Sequence, residues 1–125
     1  MADSYSEIEV FERRGYLEAR YLGAYSLVRF KSQMSESVRA CIENTLSLLL
    51  VDIRGMTKFA PPMQERFEIG RYGAEVSKDL SKVAVLGTDE QFEQKFADLV
   101  ARNRGLRVQT FTDPVAAIDW LLKED

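Results

Sequence analysis

The chain has 125 residues, 46% hydrophobic and 30% charged, which is enough for one globular domain with a real core. Seventeen basic against twenty acidic residues give a net charge of −3, which argues against nucleic acid as a partner, since phosphate binding needs a basic face. With no His and one cysteine, Cys41, the composition excludes Ser-His-Asp and Cys-His catalysis, an internal disulfide and a Cys-rich zinc site.

The first fourteen residues, MADSYSEIEVFERR, are acidic and polar, unlike a signal peptide, and residues 1–6 are expected to fray. No apolar run approaches the roughly 20 residues that span a bilayer, so no stable membrane insertion is expected and the cytoplasm is the default compartment. Ile8 and Val10 alternate with Glu9 and Phe11 in a first strand over residues 7–13. Arg14-Gly15 supplies a turn, and residues 16–22 read as a second strand with Leu17, Ala19 and Tyr21 on one side. Alternation and a short connection predict an antiparallel hairpin. From residue 24 to 44 the period lengthens: Leu27, Phe30, Met34, Val38, Cys41 and Thr45 are three or four apart, a long amphipathic helix with an irregularity near Ser35-Glu36-Ser37. At that position Cys41 reads as a buried, inert thiol.

Residues 46–62, LSLLLVDIRGMTKFAPP, organise the rest. The run Leu48-Leu49-Leu50-Val51 stops at Asp52, and a short apolar run closed by a polar residue is a central strand buried on both faces. Ligands of open α/β sheets sit outside the carboxyl ends of such strands. Pro61 and Pro62 suit a helix start, because the first-turn N–H groups have no intrahelical acceptor. The helix is expected to reach about residue 78, with Met63, Phe67, Gly70, Ala74 and Ser77 as its inner stripe and Ile69, Gly73 and Val76 beside it. Gly70 and Gly73 cost helix propensity, and either close packing on the sheet or room for a ligand would explain them.

Lys82–Leu86 is the fourth strand, again apolar, closed by Gly87-Thr88-Asp89. Thr88 and Gln91 form a capping box, so a helix is predicted from there to Asn103, stopped by Gly105. Residues 106–111 make the fifth strand, and Asp113-Pro114 starts a last helix with Val115, Ile118, Leu121 and Leu122 on its apolar face. The order β-β-α-β-α-β-α-β-α defines a single α/β domain over residues 1–125: a five-stranded, mostly parallel sheet with an antiparallel edge hairpin.

Chemical motifs are few. Neither G-x-x-x-x-G-K-[ST] nor G-x-G-x-x-G occurs. Asp52, Asp89 and Asp113 follow three successive strands and could share a rim that holds Mg²⁺, but Asp89 and Asp113 are explained as helix starts and Asp52 as a strand-end group bonding loop amides. No metal and no cofactor is therefore expected. Arg102, Arg104 and Arg107 suit a helix C-terminus. Lys58-Phe59, a cation and an aromatic in the loop after the central strand, could contact an amphiphile or a partner, or Phe59 could cover the core.

The runs VDIRGMTKF (51–59), KVAVLG (82–87) and TFTDPVAAIDWLL (110–122) together resemble the SpoIIAA-like family, which is related to STAS (anti-sigma-factor antagonist) domains and, by fold, to CRAL-TRIO lipid-binding domains. The resemblance spans residues 8–122 and implies a small cytoplasmic domain without catalysis that binds ligands or proteins. Signalling STAS domains carry Asp-Ser-Ser-Gly in the loop after the central strand, with a phosphorylated second hydroxyl; the matching position here is Ala60-Pro61-Pro62, so the phosphoacceptor is missing and Thr57 is the one hydroxyl left in the loop. Two readings follow. The chain is a non-enzymatic module for an apolar small molecule or lipid between sheet and helix, or a STAS-type protein-interaction module without the phosphorylatable serine. Asp52, Arg54, Thr57, Lys58, Phe59, Met63 and Phe67 are the expected contact residues in both, and a homodimer through a helix or edge strand is compatible with either.

Overall fold

The computed structural model describes residues 7–93 and 96–124, with the backbone alone at 96–99, so the expected fraying of residues 1–6 lies outside the described residues. β1 (Ile8–Glu12) and β2 (Leu17–Tyr21) form the antiparallel hairpin. Arg13 N donates to the Tyr16 carbonyl, and Gly15 takes a φ of +90° that an L side chain would resist. Three parallel strands follow: β4 (Leu48–Asp52), β6 (Lys82–Leu86) and β7 (Val108–Phe111). The sheet order is β1-β2-β4-β6-β7, so β4 is central, with Leu49 opposite Leu17 on one side and Val83 on the other.

The crossovers β2–β4, β4–β6 and β6–β7 all advance in the same direction. Because such crossovers share one hand, their helices fall on one face. These are α1 (Leu27–Glu43), α2 (Met63–Val76) and α3 (Phe96–Asn103). Phe30, Val38 and Cys41 of α1, Ile69 and Ala74 of α2 and Ala101 of α3 share one core with Leu17, Ala19, Tyr21, Leu49, Val51, Val83 and Val108. The last helix, α4 (Pro114–Leu122), lies on the opposite face, where Ala117 and Leu121 meet Leu50, Ala84 and Leu86. Asp113 caps it as expected, accepting from Ala116 N at 3.1 Å. At its other end the buried Lys82 ammonium donates to the carbonyls of Trp120 and Lys123, both at 2.8 Å.

Four expectations need correction. Gly23–Ala24 is strand β3, paired in parallel with β5 (Met56–Thr57), so α1 begins three residues later than its period implied, with Ser26 accepting from Arg29 N as its cap. No break occurs at residues 35–37; Ser37 turns its hydroxyl back onto the Met34 carbonyl (2.9 Å), which a continuous helix tolerates. The Thr88–Gln91 box closes reciprocally, at 3.0 and 3.1 Å, but around a turn: residues 89–93 are turn and bend, and helix is present from Phe96. Gln91 Nε2 donates to the Ile53 carbonyl (2.8 Å) and Phe92 packs on the core, anchors that hold this segment across the exit of β4. Finally, α2 buries Ile69, Gly70, Gly73 and Ala74 but leaves Met63 63% and Phe67 43% exposed, so its inner face is turned toward Arg66, Ile69 and Gly73 and away from those two.

Both α1 and α3 end in a Schellman motif. Leu46 N donates to the Cys41 carbonyl and Thr45 N to that of Ile42; Leu106 N and Gly105 N do the same with Ala101 and Arg102. The left-handed position is Gly105 in one (φ +96°) and Thr45 in the other (φ +56°).

Candidate functional site

Three helices on one sheet face do not close over it completely. A cavity of about 390 Å³ lies between the sheet, α1 and α2. Its floor is Leu49, Val51, Val83, Val85 and Val108; Phe30, Met34 and Val38 form one wall and Ile69, Gly70 and Gly73 another. The loop Phe59-Ala60-Pro61-Pro62, Arg66 and the turn 90–93 frame its opening. An alanine methyl at Gly73 would sit 3.6 Å from the Met34 Sδ, an ordinary contact. Close packing on the sheet therefore does not account for this glycine; it borders free volume.

The polar groups on this lining are mostly satisfied. Tyr21 and Ser37 share a buried hydrogen bond of 2.8 Å, and burial pushes the Tyr21 phenol well above its ordinary pKa. Arg66 differs. Its Nη1 donates to the Pro61 carbonyl at 2.7 Å, which fixes the guanidinium, while its Nε is shielded from solvent and has no hydrogen-bond partner. The loop itself is held by aromatic contacts: Phe59 stacks edge-on against Tyr25 (5.3 Å between centroids) and leans on Phe30 (5.6 Å). Tyr25 in turn donates to Glu65 Oε1 at 2.8 Å, and burial first, then that carboxylate, raises its pKa.

The seven residues expected at the site do not converge. Phe59 alone of them lines the cavity among the described residues, as a wall group that also packs on the core. Asp52 shares the parity of Leu50 and so faces the α4 side of the sheet, away from the cavity. There it is buried and bidentate with Arg54, both bonds at 3.0 Å, and accepts from Arg54 N as well. Arg20 is opposite it in the sheet, and two residues along β2 buried Glu18 accepts from Arg13 and Arg20, each at 2.9 Å, so this end of the face is a compensated ionic row. Thr57 is exposed in β5, and Lys58 is exposed with a φ of +57°. Met63 and Phe67 sit on the outer surface of α2, where Arg104 lies 5.9 Å from the Phe67 ring.

Among the described residues no cluster of three or more His, Cys, Asp or Glu could hold a metal ion, and no helix is long and apolar enough to cross a membrane. Cys41 is fully buried, and burial pushes its thiol up to about 11. Sequence reasoning did not single out Arg66, because a lone Arg on an amphipathic helix carries no pattern; Gly70 and Gly73 were the available signal for the cavity.

No family model matches the chain, and no curated protein does. Two solved structures share its fold over nearly the whole length. One is an uncharacterized protein from the DUF3478 family with a SpoIIAA-like fold from Shewanella loihica: TM-score 0.60, 19% identity, covering 97% of this chain and 98% of that one. The other is an anti-sigma factor antagonist from Mycobacterium paratuberculosis: TM-score 0.64, 12% identity, covering 98% of this chain and 100% of that one. The chain thus has the SpoIIAA-like α/β fold that its sequence resembles.

Proposed function

We propose that the protein is a non-enzymatic, cytoplasmic binding module that holds an apolar small molecule between its sheet and helices. The cavity carries this reading. At 390 Å³ it falls within the range of ligand pockets, about 300–1,000 Å³. Without an occupant, its apolar walls are left against water or without packing partners, and either state is unfavourable. Water is a poor filler, because the valine, leucine and phenylalanine walls offer it few hydrogen bonds. An apolar ligand removes both costs. Native mass spectrometry of gently purified protein is the test: a co-purified small molecule, lost on denaturation, is expected. Consistent absence of any adduct, together with no thermal shift from apolar probes, would overturn the reading.

A second reading, a STAS-type protein-interaction module without a phosphorylatable serine, is favoured by a different observation. One structure sharing the fold is an anti-sigma factor antagonist, and Met63 and Phe67 stand exposed on α2, just after Lys58 in the chain. Phe59 belongs to the aromatic wall, so the test should spare it. Replacing Lys58, Met63 and Phe67 together by Ala should abolish a partner's binding with an unchanged melting temperature; intact binding would remove this surface.

A further inference from the structure

We infer that the ligand is an amphiphile with a single carboxylate head, its tail in the cavity and its head on Arg66. This rests on the proposed cavity function and specifies the ligand class. An apolar cavity by itself selects nothing beyond size. Here one cation, Arg66, borders it, with one donor already spent on the Pro61 carbonyl and a second, Nε, shielded from solvent and unpartnered. Buried donors without acceptors are uncommon because they forfeit their hydration. That leaves the guanidinium under-solvated; Nε itself is closed off by protein atoms, and an ionised oxygen at the accessible Nη2 is the kind of group that compensates it.

Two exposed carboxylates, Glu90 and Glu93, also border the opening. They disfavour a dianion such as a phosphate monoester, since one guanidinium cannot offset two neighbouring carboxylates and two further charges. A singly charged head meets half that repulsion, and direct pairing with the guanidinium is needed to hold it. Size sets the tail: at ~30 Å³ per heavy atom, the share of a water in the liquid, 390 Å³ holds about 13 heavy atoms. A decanoate to dodecanoate chain, or a bicyclic aromatic acid of that size, fits.

The experiment is calorimetric titration of the full chain with sodium decanoate, 1-decanol and decylamine, for the wild type and for Arg66→Met and Arg66→Lys. Decanoate should bind the wild type most tightly and decylamine least. Arg66→Met should weaken decanoate by about ten- to hundredfold while leaving decanol within about twofold, the loss expected of one charged hydrogen bond. Arg66→Lys keeps the charge without the guanidinium fork and should fall between the two; circular dichroism shows that each variant is folded. Equal binding of decanoate and decanol, with no effect of either variant, would overturn the carboxylate assignment and leave the apolar cavity standing. Failure of all three probes to bind the wild type would overturn the cavity reading as well.

Discussion

Thr45 is the most direct test of the backbone reasoning. It occupies the left-handed position of the α1 Schellman motif at φ +56°, and its side chain is exposed, so replacing it removes no packing. A β-branched residue there carries roughly 1–2 kcal/mol of strain from Cβ against the following carbonyl. Thr45→Gly relieves that strain but adds about 0.5–1 kcal/mol of unfolded-state entropy, leaving a net stabilisation of about 0.5–1 kcal/mol. For a domain of this size the melting temperature should rise by about 2–5 °C. Gly105 is the mirror experiment: it holds the equivalent position in α3 at φ +96°, and an added Cβ there would meet nothing within 4 Å. Gly105→Thr should therefore cost a net of about 0.5–1 kcal/mol, the same strain less the unfolded-state entropy that the side chain removes. Urea unfolding followed by circular dichroism, at unchanged m-value, reads both. A neutral or destabilised Thr45→Gly beside a harmless Gly105→Thr would refute the reasoning.

Lys82→Met removes two charge-assisted bonds at the end of α4 and strands their carbonyls, partly offset by sparing the buried ammonium its desolvation. A loss of about 1–2 kcal/mol is expected in denaturant titration, with a change in Trp120 fluorescence because the ammonium lies 5.1 Å from that ring. Gly73→Ala should stabilise α2 by about 0.5–1 kcal/mol, since the methyl meets only an ordinary contact at Met34; a destabilised variant would mean that the space is not there. Glu68, between Arg71 and Lys31, has its carboxyl lowered from 4.5 to about 2, first by the Arg71 hydrogen bond. Its contribution is complete above the unfolded value and lost as pH falls from about 5 towards 2. The stability difference between wild type and Glu68→Gln should shrink across that window, and a pH-independent difference would argue against the ion pairs.

Much of the fold is legible because its signals are local and redundant. Leu48–Asp52 and Lys82–Leu86 are apolar runs with polar stops, and Asp113-Pro114 is a helix start that depends on nothing distant. The misreadings share the opposite property. Gly23–Ala24 and Met56–Thr57 are strands only through each other, and two residues show no period. The box at Thr88 is chemically correct, yet whether it opens a helix depends on Gln91 and Phe92 being drawn to Ile53 and the core. Met63 and Phe67 fit the stripe of α2 by spacing, but the helix turns Arg66, Ile69, Gly70 and Gly73 inward and leaves those two on its exposed side. The site was less legible still. Asp52, the residue most conspicuous in the chain, is consumed by Arg54, whereas the cavity arises from how three helices share one sheet face, a property that no single segment carries.

The position of α4 bears on how the domain is made. Leu50, Ala84 and Leu86 come from strands that leave the ribosome well before residues 114–122, and among the described residues α4 is the element that covers them. During synthesis the α1–α3 side can assemble while this second face still lies open to water, an apolar strip on a sheet whose β7 edge has just formed. Such a nascent chain is prone to self-association until its last nine helical residues dock. Translation stalled before Asp113 should therefore yield a chaperone client rather than a smaller folded domain.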